Sequence, residues 1–168
     1  MTRHPLQLTY GPDPIFRKKA TAVAEVDDGV RETVEAMFDL LYREKGVGIG
    51  ANMAGLLQRI VVIDLQEEGA RQPLALINPE ILWSGEETQT FTEASLSFPG
   101  ISAEITRPKS IKVGYLDCKG CAQELEAEGW LAQVIQHEVD YLDGKTYLDR
   151  LSATKRNMLM RKYKKNRG

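Results

Sequence analysis

The 168-residue sequence holds only two cysteines. Two are too few for a disulfide scaffold, and that scarcity suits a reducing compartment, so a cytoplasmic location is expected. Long apolar runs are missing as well. Stretches such as Ile60–Ile63 fall far short of the ~18 residues that a membrane-spanning helix needs, so no membrane partner is expected. The N-terminal stretch MTRHPLQLTYGPDP has neither an apolar h-region nor a small-residue cleavage site, which argues against a signal peptide. No internal repeat or low-complexity linker is visible. At 42% hydrophobic and 27% charged residues, the composition excludes disorder. What remains is a chain that can bury roughly 70% of its unfolded surface with no disulfide or metal to hold it. Residues 1–150 read as a single domain, with 151–168 a basic C-terminal helix belonging to it.

Net charge is also nearly absent, at −2 from 22 Lys+Arg and 24 Asp+Glu, but the balance is local rather than general. Lys155, Arg156, Arg161, Lys162, Lys164, Lys165 and Arg167 follow one another with no acid among them. The rest of the chain therefore carries −9 against a tail of +7. Such a tail reads as a solvated helix end or as a contact for RNA or another polyanion.

Asp27 or Asp28 can cap a first helix, whose Val30, Val34, Met37, Phe38 and Leu41 share one face. Gly46 is expected at the left-handed residue that ends it. A Gly-rich stretch, 46–55, leads into a β-branched strand at Arg59–Leu65. A turn at Glu67–Gln72 and a strand at Leu74–Asn78 follow, the strand stopped by Pro79. Further strands are predicted near Gln89–Glu93, Ala103–Thr106, Ser110–Leu116 and Gln123–Ala127. A helix over Trp130–Leu142 ends at Gly144, and a basic helix starts near Ser152, with Met158, Leu159 and Tyr163 at helical spacing. Strands in the middle with helices on either side predict an α+β fold.

Within the 130–142 helix, Gln136-His137-Glu138-Val139-Asp140-Tyr141-Leu142-Asp143-Gly144 reads as HExxH with Tyr at the second His. Residues i and i+4 share a helix face, which is why the intact motif can hold one metal beside a general base. A lone His-Glu pair carries little by itself. Cys118-Lys119-Gly120-Cys121 falls where the strand pattern needs a two-residue turn, with Lys-Gly at the tip. A chance hairpin pair, a disulfide and a metal shared between chains all remain open there. The only histidines available to complete a zinc site are His4 and His137.

Two further segments complete an ordered trio: Gly46-Val47-Gly48-Ile49-Gly50-Ala51-Asn52-Met53 and Glu93-Ala94-Ser95-Leu96-Ser97-Phe98-Pro99-Gly100. With the third motif, they resemble the peptide deformylases, whose signatures are GφGφAAxQ, EGCLSφP and QHExDHLxG (φ apolar). The resemblance spans nearly the whole chain, including the IVVIDL strand, the LINPE segment and the C-terminal helix. It implies the peptide deformylase fold, with antiparallel and mixed strands around a central HExxH-type helix.

The resemblance also implies a metal held by one Cys and two His, at positions occupied here by Ser95, His137 and Tyr141. A hydroxyl is a much weaker donor than a thiolate, and a phenol near pKa 10 is costly to ionise. The expectation is therefore no cofactor; any metal would be iron or zinc at His137. The family's oxyanion donors are the Gln of the first motif and the backbone N–H after the Cys. Met53 replaces the Gln and can donate nothing, whereas Leu96 keeps its backbone donor. Asn52 could substitute only if the loop rotated, and Gly50 in place of Ala loosens it. The pocket for an N-terminal methionine would be lined by Val47, Gly48, Trp130, Gln133 and Val134, and a family Arg is matched by Ser102. Glu138 keeps the general-base position, and Glu93, Gly46 and Gly48 are also kept.

Three readings follow. The first is a deformylase-like protein without metal-dependent removal of formyl, acting if at all by binding a peptide N-terminus or the ribosome. The alternative is an active deformylase with an atypical metal site, releasing formate from N-formyl-Met peptides. A zinc protease of the HExxH type lacks a third ligand and fits least.

Overall fold

A computed structural model describes residues 5–167; Met1–His4, the start of the stretch read for a signal peptide, and Gly168 lie outside the described residues. Asp27 opens helix α1 (Asp28–Arg43) by accepting the Val30 N–H at 2.9 Å. Val30, Val34, Met37 and Leu41 face inward as expected, joined by Leu40. Phe38 is only partly buried and stacks on Tyr42. The helix stops one residue earlier than its glycine suggests: Lys45, not Gly46, holds the left-handed conformation (φ 56°). Gly46 is required by space instead, because a Cβ there would lie 2.5 Å from the Leu96 side chain.

Seven strands follow: β1 (Gly48–Gly50), β2 (Ile60–Ile63), β3 (Leu74–Ser84), β4 (Thr88–Ala94), β5 (Ser102–Pro108), β6 (Ser110–Leu116) and β7 (Ala122–Glu128). They form a five-stranded antiparallel sheet in the order β1-β2-β3-β6-β7 and a separate β4-β5 hairpin. Strand β3 does not stop at Pro79. Its pairing with β2 ends at Ile77, and its register against β6 shifts between Ile77 and Glu80. Pro79 sits in that irregularity, where the strand needs no N–H from it. Asn78 supports the kink at φ 52° while its side-chain amide bridges the N–H and carbonyl of Val23.

The β6-β7 turn also differs from expectation. Gly120 donates to the Asp117 carbonyl at 2.9 Å, so Cys118 and Lys119 form the tip and Gly120 (φ 80°) follows as the left-handed residue. The three-residue loop arises because Asp117 accepts the N–H groups of Lys119 and Cys121. Both cysteines are free thiols in this structure.

Helix α2 (Gly129–Leu142) starts directly at the end of β7, a reversal that Gly129 permits at φ 65°. Strand β2 explains how the core divides. Val61 and Ile63 pack with Ala132, Ile135, Val139 and Leu142 of α2, while Ile60 and Val62 pack with α1. Period-two alternation thus places the two helices on opposite faces of one sheet. Eleven consecutive α2 residues, Ala132–Leu142, are buried, including five polar or charged ones that require internal partners. Helix α3 (Ala153–Arg167) closes the chain and is tied to the body by Tyr163, whose hydroxyl donates to the Gly11 carbonyl at 2.7 Å. Among the described residues, no helix is long and apolar enough to cross a membrane.

Candidate active site

Where α2 passes beneath β1 and the β4-β5 hairpin, a cavity of about 570 Å³ opens, well within the size range of small-ligand sites. All three motifs line it: Gly46, Val47, Gly48 and Met53 from the first, Glu93, Ser95 and Leu96 from the second, and Trp130, Gln133, Val134, His137 and Glu138 from the third. Every proposed pocket residue is thus present in the wall. Asn52, Tyr141 and Ser102 are not.

His137 is fixed through Glu93. Its Nδ1 lies 2.7 Å from Glu93 Oε1, and its ring stacks on Tyr147 at 5.6 Å. The carboxylate accepts from Nδ1 and fixes the orientation of the ring. Glu93 in turn receives two bonds from Arg107, at 2.7 and 2.9 Å, and one from the Gln133 amide. Burial would raise the Glu93 carboxyl, but Arg107 and His137 outweigh it and hold it at about 2. Arg107 also reaches Asp140 at 2.9 Å, and Asp140 is clasped from the other side by Arg150. The result is a buried chain of alternating charge behind His137.

Gln133 repacks this network rather than meeting the ligand as an unpaired amide. Its nitrogen donates to Glu93 and the Ile105 carbonyl, and its oxygen accepts from Gln89 at 3.1 Å. Trp130 packs against Phe91 at 5.2 Å and narrows the cavity without filling it.

Glu138 is buried, and its Oε1 has no hydrogen-bond partner among the described residues. Burial is the main cause that lifts its carboxyl to about 7, with Glu93 adding and His137 opposing. Gly48 makes room for it, since a Cβ there would come within 2.8 Å of Glu138 Oε2. The Leu96 N–H makes no hydrogen bond among the described residues and remains free to donate. Met53 turns its sulfur back onto the Gly50 N–H at 3.4 Å. Asn52 donates to the Tyr141 carbonyl at 2.5 Å, which holds it to the end of α2 and away from the cavity. Nor is the loop loosened by Gly50, which is buried within β1.

Ser95 Oγ and Tyr141 Oη are 2.5 Å apart and hydrogen-bonded to each other. Burial drives the Tyr141 phenol well above its usual value, against the opposing bond from Ser95. A neutral phenol is no base for Ser95, so the pair is not an activated nucleophile. Among the described residues, no group of three or more His, Cys, Asp or Glu side chains is arranged to hold a metal ion.

Sequence reasoning missed Arg107 and Asp140, and with them the support of His137. A signal existed: Ile105 and Arg107 lie two apart on β5 and both face inward, and a buried guanidinium demands carboxylates. Leu8, Tyr10 and Arg167 also line the cavity and come from segments remote from the motifs, which no local pattern connects.

The sequence model described as Polypeptide deformylase matches residues 5–157. A "Peptide deformylase-like" protein of Rickettsia conorii is 54% identical, the match covering 95% of this chain and 87% of that protein. A "Peptide deformylase" of Alkalilimnicola ehrlichii is 46% identical, covering 95% and 89%. The crystal structure of the Ehrlichia chaffeensis peptide deformylase in complex with actinonin superposes with a TM-score of 0.92 at 34% identity, covering 98% of both chains. Three motifs that converge on one cavity, in an α+β frame that follows a solved deformylase nearly from end to end, lead to one assignment. The chain belongs to the polypeptide deformylase family.

Proposed function

We propose that this chain keeps the peptide-binding cleft of its family but not the metal-assisted removal of formyl. The observation that carries this reading is the 2.5 Å bond between Ser95 and Tyr141. These residues stand at two of the three positions where the family pattern has metal ligands, and here they satisfy each other. A hydroxyl and a neutral phenol are poor donors to Fe²⁺ or Zn²⁺, which take thiolate and imidazole. That leaves His137 as the one strong donor. Iron or zinc does not fit this set, and no hydrolytic step through a metal is derived.

What the cleft retains is suited to holding a blocked peptide N-terminus. The Leu96 N–H can donate to a formyl or acyl oxygen, Val47 and Val134 offer apolar contact, and Trp130 limits depth. The setting would be the cytoplasm. The exposed cations on α3 that take part in no ion pair among the described residues (Lys155, Arg161, Lys162, Lys164 and Lys165) supply a surface for ribosomal RNA. Arg156 is 3.9 Å from Asp149 and is less available.

A second reading is a working deformylase that converts an N-formyl-Met peptide and water to formate and a Met peptide. The likeness to relatives bearing that name favours it, as does Glu138, a buried carboxyl with an unpartnered oxygen at the position the family's base would hold. Elemental analysis of the purified protein, paired with formate release from formyl-Met-Ala-Ser, separates the two. The first reading expects well under one metal per chain and no formate above blank, with the peptide still bound. Stoichiometric metal and formate release that is lost in Glu138→Ala would establish the second. Co-sedimentation with ribosomes at low salt, abolished by Gln at the five exposed cations, tests the tail.

A further inference from the structure

The seven cations of the C-terminal segment do not form one surface. Arg167 stands apart: its guanidinium lies 4.3 Å over the Tyr10 ring and 5.7 Å from that of Tyr163, and it lines the same cavity as His137 and Glu138. Two features hold it there. Tyr163 and Arg167 are four residues apart and share a helix face. Tyr163 itself is anchored by its bond to Gly11 and by packing on Phe98 at 5.3 Å.

The cavity is divided by exposure. Gln133 and Glu138 are buried at its floor, whereas Tyr10, Glu44, Lys45, Val47 and Arg167 are exposed at its rim. Among the described residues, Arg167 pairs with no carboxylate, and the rim carries two cations against the single acid Glu44. A guanidinium steadied on an aromatic face keeps its N–H edge available for a planar anion. Ser102, at the position where the family often carries an Arg to hold the peptide, is exposed and does not line the cavity.

We propose that Arg167 is a specificity-determining residue that reads a carboxylate on the bound peptide at the mouth of the cleft. This rests on the reading of the cleft as a peptide site. The carboxylate could be an acidic side chain downstream of the blocked N-terminus or the C-terminal carboxylate of a very short peptide. Both present the same charge to the rim, and the test separates them.

Binding is measured by calorimetry on the full chain with four probes: formyl-Met-Ala-Glu and formyl-Met-Ala-Gln, each with a free or an amidated C-terminus. The expected result is about 5-fold tighter binding of carboxylate-bearing probes than of the neutral one at low salt, shrinking as salt rises. Preference for Glu over Gln in the amidated pair assigns the side chain as the source. Preference for free over amidated in the Gln pair assigns the terminus. Arg167→Gln should bring the ratio close to one, and Arg167→Lys should keep part of it. Equal binding of all four probes, or a ratio that survives Arg167→Gln, overturns the role of Arg167 and leaves the peptide cleft standing. No binding of any probe overturns the cleft and this inference together.

Discussion

Arg107 is fully buried and surrounded by the groups it neutralises, with Glu93 on one edge and Asp140 on the other. Removing it would leave the buried Glu93, the orienting partner of His137, without its guanidinium, and would leave Asp140 held by Arg150 alone. Arg107→Met should therefore lower the unfolding free energy by about 3–5 kcal/mol, read from urea denaturation. A loss below 1 kcal/mol would show that the network is not load-sharing in solution. At the other end of the site, the Ser95–Tyr141 bond sets a limit on single reversions. Tyr141→His alone supplies one imidazole beside a serine and no oxyanion donor, so it should restore no formate release. Ser95→Cys, Tyr141→His and Met53→Gln together should restore metal binding by elemental analysis and some formate release. These three positions were legible in the sequence because each falls inside a motif. Arg107 was harder to read, since its partners lie 14 and 33 residues away and only the β4-β5 register and the packing of α2 on that hairpin bring them together.

The elements were legible to the extent that their patterns are local. The predicted α1 and α2 and five strands stand close to where periodicity put them, because each buries one face against a neighbour. Two boundaries moved for reasons beyond local pattern. Strand β3 passes Pro79 because only β6, not β2, pairs with it there, which depends on the sheet order. The Cys118–Cys121 turn took a residue more than expected because the Asp117 carboxylate binds two backbone N–H groups. The contact of β1 with α2 is tighter than either segment reveals alone. A Cβ at Gly48 would stand 2.8 Å from Glu138 Oε2 and 3.1 Å from Val134 Cγ1. Gly48→Ala should therefore force the Glu138 and Val134 side chains to give way, costing about 1–3 kcal/mol as over-packing does. The same variant should weaken formyl-peptide binding, because the displaced residues line the cleft. Unchanged stability and unchanged binding would mean that these side chains yield to a Cβ at no cost to the fold or the cleft.

At the scale of the whole molecule, the near-zero net charge conceals an acidic body and a basic helix, and several of the body's acids are stabilised in their ionised form. Asp64 accepts from the Tyr42 hydroxyl at 2.5 Å and from the N–H groups of Gln66 and Gln72. Burial would raise its carboxyl, but those bonds outweigh it and hold the group below its ordinary 3.8. Asp149 is likewise opposed by burial and lowered by Arg17 and the Thr146 N–H. A depressed folded-state pKa means that the unfolded chain binds protons first as pH falls. The stabilisation from both groups is therefore fully present above about 4 and is lost as pH drops through their folded values. Glu138 does not mask this limb, because a carboxyl raised to about 7 is already protonated there. Unfolding should remain a single transition if α3 and the body form one cooperative unit, as the Tyr163 anchor implies. The urea midpoint should fall steeply below pH 4, and Asp64→Asn should lower the midpoint at pH 7 while flattening the acid limb. A midpoint that holds or rises on acidification in the unmodified protein would mean that these carboxylates are not the groups coupling stability to pH.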